Sequence, residues 1–325
     1  MLNAGAELPE NIMKNDRIKT VACVGAGTIG SSWATFFASK GLDVRLYDID
    51  QAILIRGYDM ALENLVRMES MELLGKGEAE IARRRIQKQE TLEGALAGVD
   101  LVQESVREDY KTKADLFERL EPLVAPGTVI ASSSSGLLMT RMQSVLEHPE
   151  RSLIAHPFNP PHLVPLVELV PGEQTDPAVL ETAKTFFQEL GKVPVVLKKE
   201  VPGHIANRLA AALWRESIDL VASGVASVED VDNALRAGPG LRWALMGQHL
   251  IYHLGGGEGG YRHMIDHIGK SFDAYWKTMP TWTEIPDEAK EQIISGVENA
   301  VGDRSIQELV EERDRNLARI LKALG

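Results

Sequence analysis

"VACVGAGTIGSSWATFFASKGLDVRLYD", residues 21–48, decides the fold. An apolar run leads into Gly25-x-Gly27-x-x-Gly30, a helical stretch follows to Gly41, and a second apolar run ends at Asp48. Between a strand and a helix, this glycine spacing has a mechanism. Gly25 permits a tight turn, Gly27 lets the backbone approach a pyrophosphate, and Gly30 lets the helix pack close to the strand. Thr28 and Ile29 open the helix, where free N–H groups and the dipole favour an anion. Asp48, 23 residues after Gly25, is placed to hydrogen-bond the adenine-ribose hydroxyls. Its charge opposes a 2′-phosphate, and Ile49, Asp50 and Gln51 offer no cation to hold one. NAD is therefore expected as cofactor, with Gly25, Gly27, Thr28, Ile29, Gly30 and Asp48 as its binding residues.

The alternation continues outward. "DVRLYD" (43–48), "DLVQES" (100–105), "TVIASSSS", "SLIAH" (152–156), "PLVELV" (165–170) and "VPVVLK" (193–198) read as strands. Helical stretches separate most of them: Gln51 to about Leu74, "GKGEAEIARRRIQKQ" after a break at Gly75–Gly77, "YKTKADLFERLEPLV" and "DPAVLETAKTFFQELG". Such alternation predicts an α/β fold, a doubly wound parallel sheet with crossover helices. After Lys198 the pattern changes. "VPGHIANRLAAALWRESIDLVASG" has Pro202 near its start and Gly224 at its end, and Ser227 is a natural N-cap for the next helix. No convincing strand follows. The expected organisation is an N-terminal extension (1–16), a dinucleotide-binding Rossmann-type domain (17–198) and an all-helical C-terminal domain (199–325).

A chain of 325 residues exceeds one ordinary core, and its net charge of −12 makes nucleic acid or an anionic membrane surface a poor partner. The basic cluster Arg83-Arg84-Arg85 with Lys88 is flanked by Glu78, Glu80 and Glu90 and reads as a solvated helix face. The single cysteine, Cys23, sits in an apolar run and is expected to pack. No apolar run approaches a membrane span, and residues 1–16 lack the features of a signal peptide. A cytoplasmic location is expected.

"IAHPFNPPHLVPLVEL", residues 154–169, poses the chemical question. Glu168 stands inside an apolar strand, and carboxylates are rarely buried without a partner. His156 ends the preceding strand on the side where open α/β sheets bind ligands. Oxidising an alcohol by hydride transfer needs a base for the hydroxyl proton, and histidine suits neutral pH. If the two runs lie side by side, Glu168 can fix the tautomer of His156. A base–orienter dyad is the expectation, against the alternative of a satisfied core histidine.

Four segments carry a resemblance. "GAGTIG", "SSSSGLL", "HPFNPPHLVPLVELV" and "VPGHIANRL" resemble motifs of the L-3-hydroxyacyl-CoA dehydrogenase superfamily, in the family order, over residues 20 to about 250. The resemblance implies that Ser135, His156, Glu168 and Asn207 act together. Ser135 and Asn207 would hydrogen-bond the substrate oxygen, with Asn207 placing the site in a cleft. "ESVREDYKTK" is similar to the family's stretch near the cofactor, implying roles for Glu108 and Lys113; Arg107 stands where proline is usual. The resemblance also implies a homodimer formed through the helical domain.

Within the superfamily, "SWATFFASKG" and "NPPHLVPLVELVP" are similar to the L-gulonate 3-dehydrogenase (lambda-crystallin) branch. "KEVPGHIANRLAAALWRES" and "GLRWALMG" are similar to the L-carnitine dehydrogenase branch. Both imply NAD-dependent oxidation of a small free L-3-hydroxy acid. Arg242 could pair with its carboxylate. A quaternary ammonium would want an aromatic cage, and Trp243, Tyr252, Tyr261, Trp276 and Trp282 crowd the helical part, though such residues also build cores and interfaces. A CoA ester is the second substrate class, with Arg83–Lys88 as its phosphate site. A structural NAD-binding role without turnover is a third reading, opposed by the intact four-residue set. His249-x-x-x-His253 and His263-x-x-x-His267 have ligand spacing, but with no evident third ligand no metal is expected.

Overall fold

The computed structural model describes residues 18–324. The expected N-terminal extension, 1–16, lies outside them. The chain divides into two compact units, one ending at Asn207 and the other spanning Arg208–Gly325.

The first unit is built on an eight-stranded sheet. Its strands are β1 (Thr20–Val24), β2 (Asp43–Tyr47), β3 (Ile86–Lys88), β4 (Leu101–Glu104), β5 (Val129–Ser132), β6 (Ser152–Pro157), β7 (Leu166–Pro171) and β8 (Val193–Val196), in the spatial order β3-β2-β1-β4-β5-β6-β7-β8. The order reverses at β1, the switch point where open α/β sheets bind ligands. Helices cover both faces. On one lie α1 (Thr28–Ser39), α2 (Gln51–Ser70), α3 (Glu78–Arg83) and α7 (Pro177–Glu189), and on the other α4 (Leu92–Leu96), α5 (Tyr110–Leu120) and α6 (Met139–Gln143). The strands alternate between the two cores: Val21 and Cys23 enter the first, Ala22 and Val24 the second. Trp33 stacks on Phe37, with ring centroids 5.1 Å apart, among Phe36, Phe186 and Phe187. Cys23 is buried, and burial pushes its thiol well up from its ordinary pKa, so it packs as a small apolar residue.

Three details depart from the sequence reading. The helix expected through "GKGEAEIARRRIQKQ" stops at Arg83, and Ile86–Lys88 pairs with β2 as an edge strand. Ile86 is drawn into the core beside Val44, and Arg85 pairs with Asp43 at 2.9 Å. The sheet is not wholly parallel, since β6 and β7 run antiparallel. The turn from Phe158 to Pro165 is shorter than the dozen or so residues a parallel crossover requires. The helix expected from Pro202 starts instead at Ala206, because Gly203 (φ 79°) and His204 (φ 49°) are both left-handed.

The second unit is helical: most of α8 (Ala206–Ala222), then α9 (Val228–Ala237), α10 (Pro239–Gly255), α11 (Gly260–His263), a π-helical turn (Met264–Ile268), α12 (Gly269–Trp276), α13 (Asp287–Val301) and α14 (Ile306–Leu324). Ser227 caps α9, accepting the Asp230 N–H at 3.1 Å. No described helix is long and apolar enough to cross a membrane.

Candidate active site

The glycine loop joins β1 to α1. Gly25 has φ 97°, and a Cβ there would stand 2.6 Å from the Ser105 carbonyl oxygen. A Cβ on Gly30 would stand 1.7 Å from the Gly25 carbonyl oxygen, so only glycine brings the helix this close. A Cβ on Gly27 would meet nothing within 4 Å, and no side chain caps α1. The open space beside Gly27 and the uncapped N-terminus fit a pyrophosphate. Asp48 ends up beside this loop, its Oδ2 accepting the Ala26 N–H at 2.8 Å and its Oδ1 the Asp50 N–H at 3.0 Å.

A cavity of about 410 Å³ opens next to the loop, and all its lining residues belong to the first unit. Of the residues singled out in the sequence, it gathers Ile29, Glu108, Lys113, Ser135, His156 and Asn207. Arg242 and Trp243 lie in the second unit, on α10.

The antiparallel register sets His156 directly opposite Glu168. Their side chains meet, Nδ1 to Oε2, at 2.9 Å, and both are buried. The other oxygen of Glu168 accepts the Ile205 and Ala206 N–H groups, at 2.8 and 3.0 Å, at the start of α8. Burial pushes Glu168 up, but the bond from His156 and the two backbone N–H groups outweigh it, and its pKa lies below the ordinary carboxylate value. An ionised Glu168 accepts a hydrogen bond from His156 Nδ1–H, which keeps that proton on Nδ1 and leaves Nε2 as the basic nitrogen.

Glu108 organises the segment after β5. Its Oε1 accepts from Ser134 Oγ and from the Ser135 and Gly136 N–H groups, each at 2.8 Å. Burial raises its pKa, but the Ser134 hydroxyl, those N–H groups and the Lys113 charge bring it below the ordinary value. Lys113 is fully buried, with Nζ 2.6 and 2.9 Å from the Glu104 oxygens and 3.6 Å from Glu108. Ser132 donates to Glu104 at 2.5 Å. The turn after β6 is pinned by Lys192, whose Nζ donates to the carbonyls of Pro161 and Val164. Burial, helped by Lys40, pushes its pKa down to about 7.

Glu104 and His204 are among the residues of this constellation that the sequence reading does not single out. Glu104 carries the same signal as Glu168, a carboxylate inside an apolar strand. His204 gives no such signal. Its ring lies 5.1 Å from that of His156, its Nε2 donates to the Ser134 carbonyl at 3.0 Å, and its Nδ1 has no partner among the described residues. Burial pushes its pKa down, with the Ser134 carbonyl opposing.

Other sequence candidates are dispersed. Arg83 and Arg84 pair with Glu80, and Lys88 lies 4.6 Å from the Tyr58 ring centre. The aromatics of the second unit divide into separate surroundings. Tyr252 and Trp276 each meet Phe272, Tyr261 pairs with His249, and Trp282 bonds Asp219 at 3.5 Å. His253 Nδ1 accepts the Tyr261 N–H. No group of three or more potential metal ligands occurs among the described residues.

Comparison with known proteins places the site in context. Residues 20–201 match the model of the 3-hydroxyacyl-CoA dehydrogenase NAD binding domain, and residues 203–295 match that of the 3-hydroxyacyl-CoA dehydrogenase C-terminal domain. The L-carnitine dehydrogenase of Streptomyces coelicolor is 43% identical over 311 residues, covering 95% of this chain and 96% of that protein. The L-carnitine dehydrogenase of Oceanobacillus iheyensis is 39% identical over 304 residues, covering 94% and 97%. Among solved structures, 5-formyl-3-hydroxy-2-methylpyridine 4-carboxylic acid 5-dehydrogenase, an NAD+-dependent dismutase, has a TM-score of 0.79 at 28% identity, covering 94% of this chain and 98% of that one.

Proposed function

The chain belongs to the 3-hydroxyacyl-CoA dehydrogenase family and is an NAD-dependent oxidoreductase, and we propose that it oxidises L-carnitine, a small free L-3-hydroxy acid, to the 3-keto acid. The observation that carries the chemistry is the His156–Glu168 contact at 2.9 Å, with His156 lining a cavity next to the glycine loop. Bound NAD supplies the hydride acceptor. His156 Nε2 takes the hydroxyl proton as the C3 hydrogen departs. Glu168, held by its two backbone N–H groups, keeps Nδ1 protonated and stabilises the imidazolium that forms. Ser135 and Asn207 hydrogen-bond the substrate oxygen while it changes from hydroxyl to carbonyl. Glu108 and Lys113 set the wall on which Ser135 stands and face the cofactor. Asp48 serves the adenine ribose. Arg242 and Trp243 are assigned to the substrate's carboxylate and cation.

The relatives support the free acid, and the chain supplies a second reason. The cations from Arg83 to Lys88 that a CoA phosphate would need already have Glu80, Asp43 and Tyr58 as partners. The working unit is assigned as a cytoplasmic homodimer formed through the helical unit. Its support is apolar exposure: Leu241, Leu245, Leu250 and Leu254 of α10 are each about 60% exposed. The test is initial-rate NADH formation with L-carnitine, L-gulonate, L-3-hydroxybutyrate and L-3-hydroxybutyryl-CoA. L-carnitine should give the highest kcat/KM, and turnover of the CoA ester alone would overturn the reading.

A further inference from the structure

Ser105 has no role in the account so far, yet its surroundings fix the direction of its proton. It follows β4 and lines the cavity with Ile29 and Ser133. Its Oγ is 2.8 Å from Ser133 Oγ, a contact in which either hydroxyl could donate. The neighbours of Ser133 decide which one does. The Trp33 indole N–H donates to Ser133 Oγ at 3.2 Å, and the Gln103 amide donates to it at 2.8 Å. A hydroxyl oxygen has two lone pairs. Both are taken, so Ser133 contributes its proton to Ser105.

The Gln103 amide cannot be turned round to accept instead. Its Nε2 meets the Ala155 carbonyl at 3.4 Å, and turning it would set two oxygens face to face. Turning would also bury two N–H donors where an unpartnered oxygen now sits. Ser105 therefore accepts from Ser133, and its own proton has no acceptor among the described residues. The site holds a donor whose direction is set before any ligand arrives.

The backbone places Ser105 on the dinucleotide side of the cavity. A Cβ on Gly25 would press on its carbonyl oxygen, and a Cβ on Gly30 would lie 3.5 Å from its Cβ. We infer that Ser105 donates its hydroxyl proton to the carboxamide oxygen of the nicotinamide and so orients the ring over the cavity it shares with His156. Ser105 is a positioning residue, and Ser133, Trp33 and Gln103 set its polarity.

Calorimetric titration of the full-length protein separates this role from a structural one. The ligands are NADH and ADP-ribose, which lacks the nicotinamide, and the proteins are the parent and Ser105→Ala. The substitution should weaken NADH about 5-fold, the worth of one hydrogen bond, and leave ADP-ribose unchanged. Equal weakening of both ligands would show a structural effect and overturn the inference. So would unchanged NADH affinity, or a loss confined to ADP-ribose.

Discussion

The two units of the chain stabilise themselves differently. In the first, the sheet is sandwiched between two cores, and its polar residues are paired inside: Glu168 with His156, and Lys113 with Glu104. In the second, the buried apolar side chains among the described residues are Ile218, Val228, Met264, Ala289 and Ala318, while Leu209, Leu213, Trp214, Leu245, Leu250, Leu254 and Trp276 are among those left exposed. Exposed apolar side chains of this size are what the proposed homodimer would cover. The difference separates two kinds of inference. A buried charge inside the first unit must have a partner, so its role follows from its neighbours. An exposed apolar side chain on the second unit carries no such obligation.

The contrast can be broken at its strongest point first. Glu168→Gln should lower kcat about 100-fold, since an amide facing Nδ1 favours the wrong tautomer. Steady-state rates check this, and wild-type turnover would mean that the buried pair is structural. Arg242→Ala, in the open unit, should raise the KM for L-carnitine about 20-fold, with kcat nearly unchanged. An unchanged KM would make Arg242 a surface charge. Replacing Leu245 and Leu250 together with glutamate should convert a dimer to a monomer in sedimentation. A wild-type sedimentation coefficient would move the partner surface off α10.

The smallest effect is on acid stability. The pKa of Glu168 in the folded protein is depressed below its ordinary 4.5, so its contribution is present above that value. The contribution is lost as pH falls through the folded value. The gap in Tm between the wild type and Glu168→Gln should therefore be open at pH 6 and close in strongly acid solution. A gap independent of pH would mean that Glu168 is not ionised in the fold.

This division also sets what the sequence could disclose. The glycine loop and most strands are legible because close packing and period-two burial leave fixed spacings. His156 and Glu168 are legible because a polar residue in an apolar strand is an anomaly that demands a partner. The edge strand at Ile86–Lys88 is too short to show a period. The antiparallel turn could have been read from the brevity of Phe158–Pro165. His204 was hidden because its role comes from a left-handed backbone and from contact with Ser134, neither of which has a local signature. Arg242 and Trp243 offer only a residue type on a helix, and that carries no spacing from which a role can be read.

The central claim is that His156 is the base. Its most direct test is single-turnover hydride transfer in His156→Gln, with NAD and L-carnitine saturating at neutral pH, alongside NADH affinity. The account predicts a rate about 1000-fold below wild type and an unchanged NADH Kd. A retained rate would contradict it.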